Sequence, residues 1–116
     1  MDIEEIREYC LSLPGAEEYF PFGETTLVFK VMEKIFFLAG IESSPIEFNV
    51  KCDPEKAIEL RENFPAVRPG YHMNKKHWNT VTVDGSVDDT FLREWIRDSY
   101  ELVVRSLPAA KRKILR

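Results

Sequence analysis

The fold is decided by residues 27–51, which read LVFKVMEKIFFLAGIESSPIEFNVK. Apolar and polar residues alternate in this stretch, and a period of two predicts β-strands. Turns at residues 32–34 and 42–45 divide the stretch into three strands. Because short loops join antiparallel neighbours, we expect an antiparallel meander. The middle run is apolar on both faces and should lie in the centre of the sheet.

Helices are predicted on both sides of this meander, because apolar residues recur there at helical spacing. Each helix begins at an acidic capping residue: Asp2, Asp53, and Asp88 or Asp89. Each ends at or near a proline: Pro14, Pro65 and Pro108. In the last helix, Trp95 lies on the apolar stripe and is predicted to be in the core.

A second strand region is predicted in residues 65–83, which read PAVRPGYHMNKKHWNTVTV. Two extended runs, residues 71–73 and 78–83, flank residues 74–77, and asparagine favours turns. We therefore predict a β-hairpin with a basic tip. If Val81 and Val83 face the core, the period of two directs Trp78 away from it.

The aromatic segment at residues 19–23, which reads YFPFG, lies between the first helix and the meander. Its proline and glycine, Pro21 and Gly23, indicate a loop. Because large aromatic side chains are most often buried, we expect these rings to close one end of the core.

The order of elements is therefore helix, three strands, helix, two strands, helix. Helices on one side of an antiparallel sheet would cover its apolar face. The 116 residues form one domain, 1–116, on this interpretation. We predict a two-layer α+β domain of the type α-β(3)-α-β(2)-α.

Charge is distributed unevenly along the sequence. Residues 1–64 carry 14 acidic and 6 basic side chains, whereas residues 65–116 carry 6 acidic and 10 basic ones. Such an asymmetry indicates an anionic partner. The alternative is that the sheet interleaves the two halves and cancels the field.

Several classes of protein are disfavoured by the sequence. No apolar run approaches the ~20 residues of a membrane span, and the acidic N-terminus does not resemble a signal peptide. Cys10 and Cys52 do not form the paired motifs of disulfide or zinc proteins, although His72 and His77 have a spacing seen in zinc fingers. Without a glycine-rich phosphate loop, we expect a cytoplasmic, non-enzymatic protein with no cofactor or metal.

The run from Arg68 to Thr80 resembles the signature of the MmcQ/YjbR family. The segments at residues 13–18, 21–23, 51–54 and 99–104 are also similar to that family, so the resemblance covers essentially the whole chain. It implies a secretion-chaperone-like α-β(3)-α-β(2)-α fold. The family is described as DNA-binding, with a double wing of projecting β elements, and the resemblance implies no catalytic residues.

The resemblance and the basic hairpin together favour DNA binding by a monomer. The candidate contact residues are Arg68, His72, Asn74, Lys75, Lys76, His77 and Trp78. The cations would contact phosphates, and Trp78 would stack on a base or ribose. A shared surface for these cations and the basic C-terminal turn would support this function.

Other interpretations remain open at this point. The domain could be a protein-interaction or chaperone-like module, or it could bind a small molecule. His72, Asn74 and Asn79 could instead serve only to brace the hairpin through hydrogen bonds.

Overall fold

The computed structural model describes residues 1–70 and 73–115. Within them the chain forms four helices and six strands. The helices are α1 (Ile3–Ser12), α2 (Pro54–Asn63), α3 (Asp89–Arg105) and α4 (Ala109–Leu115). The strands are β1 (Ala16–Tyr19), β2 (Thr26–Val31), β3 (Lys34–Gly40), β4 (Ile46–Lys51), β5 (Val67–Pro69) and β6 (Trp78–Val83). The predicted α+β class with an antiparallel sheet is confirmed.

The six strands form one sheet in the order β1-β2-β3-β4-β6-β5, and every neighbouring pair is antiparallel. The meander is therefore β2-β3-β4, with β3 inside the sheet as predicted. Partners in adjacent antiparallel strands share a face. One row across the sheet consists of Val28, Leu38, Asn49, Thr80 and Arg68.

The opposite face of the sheet carries the core, which is covered by α1, α2 and α3. Phe37 and Phe48 stack on neighbouring strands with their ring centroids 5.4 Å apart. Trp95 and Ile96 of α3 are buried against this layer, so the predicted core position of Trp95 is confirmed. In the described part of the chain, the other face has no helix layer, and it is called the open face below.

The predicted helix starts are also confirmed. Asp2 and Glu5 form a reciprocal capping box at α1. The Asp53 and Asp88 side chains accept hydrogen bonds from backbone N–H groups at the starts of α2 and α3. These caps satisfy donors that have no partner within the helix.

A β-bulge at Phe36 shapes the contact between the sheet and α3. Phe29 pairs with Phe37 and Lys30 with Ile35, so Phe36 has no partner on β2. The fully buried Ser99 hydroxyl donates to the Phe36 carbonyl oxygen (2.6 Å) and accepts from the Lys51 amide (2.8 Å). One side chain of α3 thus satisfies backbone groups of both β3 and β4.

Three elements differ from the sequence-based expectation. Strand β1 and the short helix α4 were not expected. In the described residues, the strand that pairs with β6 on the hairpin side is β5, and the run predicted at 71–73 is described only at Met73. Tyr71 and His72 lie outside the described residues, and Met73 lies in a bend. Strand β5 contains Pro69 and lies at the sheet edge, where proline is tolerated.

The expectation for residues 19–23 is wrong. Tyr19 belongs to β1, and Phe22 in the following loop is 66% exposed. The core takes its aromatic rings from the strands and α3 instead. Phe36 and Tyr100, for example, meet edge to face with their centroids 5.5 Å apart.

Candidate functional site

The loop between β5 and β6, residues 70–77, is called the basic loop. The Gly70 amide donates to the Trp78 carbonyl oxygen (2.8 Å) and closes the loop at its base. At the tip, the Asn74 carbonyl oxygen accepts from the amides of His77 (3.1 Å) and Trp78 (2.9 Å). The Asn74 side chain accepts from the Lys76 amide (3.0 Å). Because of these bonds, the described backbone of the tip has a defined conformation.

Gly70 is required by a close approach of two strands. A Cβ atom at this position would lie 2.8 Å from the Trp78 Cβ and 3.0 Å from the Trp78 carbonyl oxygen. Both distances are shorter than ordinary van der Waals contacts. The absence of a side chain therefore lets the chain enter the basic loop directly beside Trp78.

Arg61, in the last turn of α2, fixes the basic loop by hydrogen bonds. Its Nε donates to Asn79 Oδ1 (2.7 Å), and one terminal nitrogen donates to the carbonyl oxygens of Lys75 and Trp78. The planar guanidinium can serve several acceptors at once. The sequence placed Arg61 on the outer face of α2 and gave no sign of this role.

Asn79, at the start of β6, links this strand to helix α2 by hydrogen bonds, and these contacts together with those of Arg61 are called the brace. It is 1% exposed, and its amide nitrogen donates to the Ala57 carbonyl oxygen (3.4 Å) while its oxygen accepts from Arg61. Asn79 pairs with Val50 in the sheet and therefore faces the helices. The bracing role considered for Asn74 and Asn79 is present in the structure, whereas His72 lies outside the described residues.

The open face carries a cleft of about 560 Å³, called the open-face cleft. Its walls are formed mainly by apolar and aromatic side chains: Phe22, Ile35, Leu38, Met73 and Trp78. Trp78 lies outside the core cluster, as the alternation along β6 predicts. The cleft thus lies between the β1–β2 loop and the basic loop, and its size is within the range of small-ligand sites.

Asn49 adds a polar group to the wall of the open-face cleft. The Thr80 hydroxyl donates to Asn49 Oδ1 at 2.6 Å, which orients the amide. In the part of the chain that the structure describes, the Asn49 amide nitrogen donates to no protein acceptor. An oriented amide donor therefore faces a largely apolar site.

The predicted contact residues do not all remain available. Lys75 and Lys76 are exposed at the tip of the basic loop. Arg68 forms an ion pair with Glu47 (2.9 Å), in which both side chains are about half exposed. His77 is partly buried, and its carbonyl oxygen accepts from the Cys52 amide (2.7 Å). The lysines and Trp78 are therefore the groups best placed to meet a ligand.

The described cations of the basic C-terminal turn, Lys111, Arg112 and Lys113, do not join this surface, and Arg116 lies outside the described residues. Leu115 of α4 lies against Gly15, next to the β1 edge of the sheet, and Lys111 lines a groove there with Glu17 and Glu33. The basic loop begins beside β6, four strand spacings away, which is on the order of 20 Å. The described cations of α4 and those of the basic loop therefore do not share a surface, so α4 gives no support to DNA binding.

The two cysteines are buried, and burial raises the pKa of both thiols, that of Cys52 to about 11. Neither thiol has the lowered pKa of a reactive cysteine. Within residues 1–70 and 73–115, no three histidine, cysteine or acidic residues are grouped as metal ligands. No helix in the same residues has the length and apolar composition needed to cross a bilayer.

Fold and site together define a class of small α+β domains in which helices cover one face of the sheet and two loops border a cleft on the other. A family model described as YjbR matches residues 11–102. The chain belongs to the YjbR family, which confirms the resemblance seen in the sequence.

Two relatives of similar length resemble this chain over nearly their whole sequences. The protein YbdF of Escherichia coli O157:H7 is 38% identical over 113 residues, covering 97% of this chain and 93% of the relative. The protein YjbR of Escherichia coli K12 is 37% identical over 116 residues, covering 99% and 98%. Both carry only the description "uncharacterized protein".

Solved structures support the fold. The crystal structure of Deinococcus radiodurans protein DR2400, of domain family DUF419, has a TM-score of 0.92 and 43% sequence identity. The alignment covers 98% of this chain and 87% of that one. A crystal structure of a Pseudomonas syringae protein has a TM-score of 0.75 and 26% identity, covering 88% and 98%.

Proposed function

We propose that this protein is a non-enzymatic DNA-binding module that contacts DNA with the tip of the basic loop. The observation that carries the proposal is that the side chains of Lys75 and Lys76 are exposed and unpaired among the described residues. Both are exposed on a braced loop, and neither forms an ion pair with any described residue. Phosphate contacts of this kind position a protein on DNA.

The brace contributes to this function because it fixes the loop before binding. Arg61, Asn74 and the Gly70 amide hold the described backbone of the loop by hydrogen bonds. A loop that is ordered in the free protein loses less conformational entropy on binding. At the described tip of the loop, binding would then need to order mainly the lysine side chains.

The size of the electrostatic contribution is limited. Each phosphate contact contributes about 0.9 to the slope of log affinity against log salt concentration for duplex DNA. Two lysines therefore predict a shallow slope, and the net charge of −4 opposes any long-range attraction. We expect weak binding that is measurable at low salt.

The test compares two double variants that change the net charge equally. Lys75→Glu with Lys76→Glu reverses the loop, whereas Lys111→Glu with Lys113→Glu reverses exposed residues of α4. A short duplex is titrated at two salt concentrations. The loop variant should lose most of the affinity and of the salt slope, and the α4 variant should keep most of both. Equal losses in the two variants would show that only net charge matters and would refute the proposed interface.

A protein partner is the second candidate function. Phe20 and Phe22 are 44% and 66% exposed, and Ile41 is 37% exposed. Exposed apolar side chains grouped around two grooves are typical of interaction surfaces. Binding to such a partner should depend little on salt and should weaken with Phe22→Ser but not with the lysine variants.

A further inference from the structure

We infer that the open-face cleft receives one unpaired nucleobase, so that the protein prefers single-stranded DNA over fully paired duplex. This inference rests on the proposed function and specifies the kind of DNA bound. The ligand is a strand whose phosphates meet the basic loop while one of its bases leaves the solvent and enters the cleft.

The walls of the cleft fit a planar ring. Trp78 and Phe22 supply aromatic surfaces, and Met73, Ile35 and Leu38 supply apolar ones. Aromatic side chains bind bases of any sequence by stacking on the π-face. In a paired duplex both faces of each base are already stacked on neighbours, so only an unpaired or displaced base can use these walls.

Asn49 provides the polar contact that such a base requires. The Thr80 hydroxyl occupies a lone pair of the Asn49 side-chain oxygen (2.6 Å) and thereby sets the orientation of the amide. The amide nitrogen then offers donors to a cleft that is otherwise mainly apolar. Side-chain amides recognise bases through their edges, so a base with a carbonyl oxygen or ring-nitrogen acceptor would satisfy Asn49.

The order of residues in the basic loop brings phosphate and base recognition together. Met73 and Trp78 both line the cleft, and Lys75 and Lys76 lie between them in the sequence. Each lysine is two residues from one of these cleft residues, which limits the Cα–Cα separation to about 7 Å. The cations are therefore close enough to contact the phosphates that flank an inserted base.

Tryptophan fluorescence gives a direct readout of this event. The protein has two tryptophans; Trp95 is 4% exposed in the core and Trp78 lines the cleft. A single-stranded oligonucleotide should quench the emission of Trp78 and bind more tightly than a blunt duplex of the same length. In Trp78→Phe the strand should still bind, since an aromatic ring is retained, but most of the quenching should disappear.

Variants separate stacking from charge. Trp78→Ala should weaken single-strand binding about 5- to 150-fold, the range expected for one stacked base, without changing the salt slope. Phe22→Ala should act in the same direction. Phe91→Ala is the control, because Phe91 is a partly exposed aromatic residue (43%) that contacts Phe64 and Trp95 on the helix side, away from the cleft. A melting curve for each variant verifies that it is folded.

The outcomes distinguish this inference from the proposed function. If the loop lysine variants weaken both kinds of DNA while Trp78→Ala and Phe22→Ala weaken neither, the protein binds DNA but the cleft does not take a base. If the lysine variants have no effect on either DNA, the proposed function itself fails. If a free mononucleotide binds as tightly as the strand, the cleft is a mononucleotide site and the inference of strand binding is overturned.

Discussion

At the scale of single residues, polar side chains of the helices satisfy backbone groups that the sheet leaves without partners. The Ser99 hydroxyl donates to the carbonyl oxygen of Phe36 at the bulge and accepts from the Lys51 amide at the end of β4. Arg61 serves two carbonyl oxygens of the hairpin in the same way. Both residues lie on helices whose sequence pattern gives no sign of these partners. Buried backbone groups without a hydrogen-bond partner destabilise a protein. By supplying such partners, these two side chains contribute to the stability of the fold.

Ser99→Ala should lower the free energy of unfolding by about 1–3 kcal/mol, because the Phe36 carbonyl and the Lys51 amide would both lose a partner away from water. Urea denaturation measures this change. Ser106→Ala is the control, since the Ser106 hydroxyl donates only to Val103 within the same helix, and we expect a change below about 0.5 kcal/mol there. Equal effects in the two variants would contradict the role assigned to Ser99.

Cys52 should make stability decrease at alkaline pH. Burial raises the pKa of its thiol from 9.0 to about 11, so the unfolded chain loses this proton at a lower pH than the folded one. Stability from this group is complete below pH 9 and is lost as the pH rises toward 11. Wild type should therefore lose about 1–3 kcal/mol relative to Cys52→Ala across this window, as measured by urea denaturation at several pH values. If the difference in unfolding free energy between wild type and Cys52→Ala stays constant across these pH values, the prediction is wrong.

At the scale of elements, the sequence predicts those segments whose side chains carry a periodic pattern. The alternation in β2, β3, β4 and β6 and the apolar stripe of α3 are sufficient for this. Strand β1 reads AEEY and gives no such pattern, since it is an edge strand recognised only by its pairing with β2. Helix α4 follows Pro108 and has no buried residue, so its position depends on contacts that the sequence does not reveal.

The candidate site was predictable only in part. The lysines, Trp78 and the turn role of Asn74 follow from the local sequence. The open-face cleft does not, because Phe22, Leu38 and Trp78 come from different elements and meet only in the folded sheet. Likewise, the pairing of Arg68 with Glu47 depends on the placement of β6 and β5 beside β4.

Arg61→Lys should loosen the basic loop although it preserves the charge. A lysine ammonium is compact and lacks the planar fork that reaches Asn79 and two carbonyl oxygens together. We expect faster hydrogen exchange at the His77 and Trp78 amides, measured by NMR, and weaker DNA binding. Arg97→Lys is the control, because Arg97 is exposed on α3. Unchanged exchange in Arg61→Lys would show that the turn holds the loop without help from α2.

At the scale of the whole molecule, the fold brings charged residues of the acidic first half and the basic second half next to each other. Among the described residues, three ion pairs join the two halves: the N-terminal amine with Asp89 (3.0 Å), Lys56 with Asp98 (3.2 Å), and Arg68 with Glu47 (2.9 Å). Only the last one pairs a cation of the basic half with a carboxylate of the acidic half. Helix α4 places further cations beside the acidic residues near β1. On the proposed interface, the positive region formed by Lys75 and Lys76 is therefore small, because Arg68 is paired with Glu47.

Glu47→Gln should enlarge this positive region, because it releases Arg68 on the open face. If Arg68 then contacts a phosphate, the salt slope of DNA binding should become steeper by about 0.9 and the affinity should rise. Glu33→Gln changes the net charge equally but removes one of the two carboxylates that pair with Lys30 near the β1 edge, and it should have little effect. The same increase in both variants would indicate a response to net charge alone.

The two outer strands of the sheet have a consequence for how copies of this protein behave when crowded together. An unpaired strand edge is a template on which another chain can add, and long flat edges lead to fibrils and precipitation. Strand β1 has four residues with two glutamates, and β5 has three residues and ends at Pro69, which cannot donate a backbone hydrogen bond. Both edges are therefore short rows of pairing sites, and edge-to-edge aggregation is disfavoured even though one face of the sheet has no helix layer.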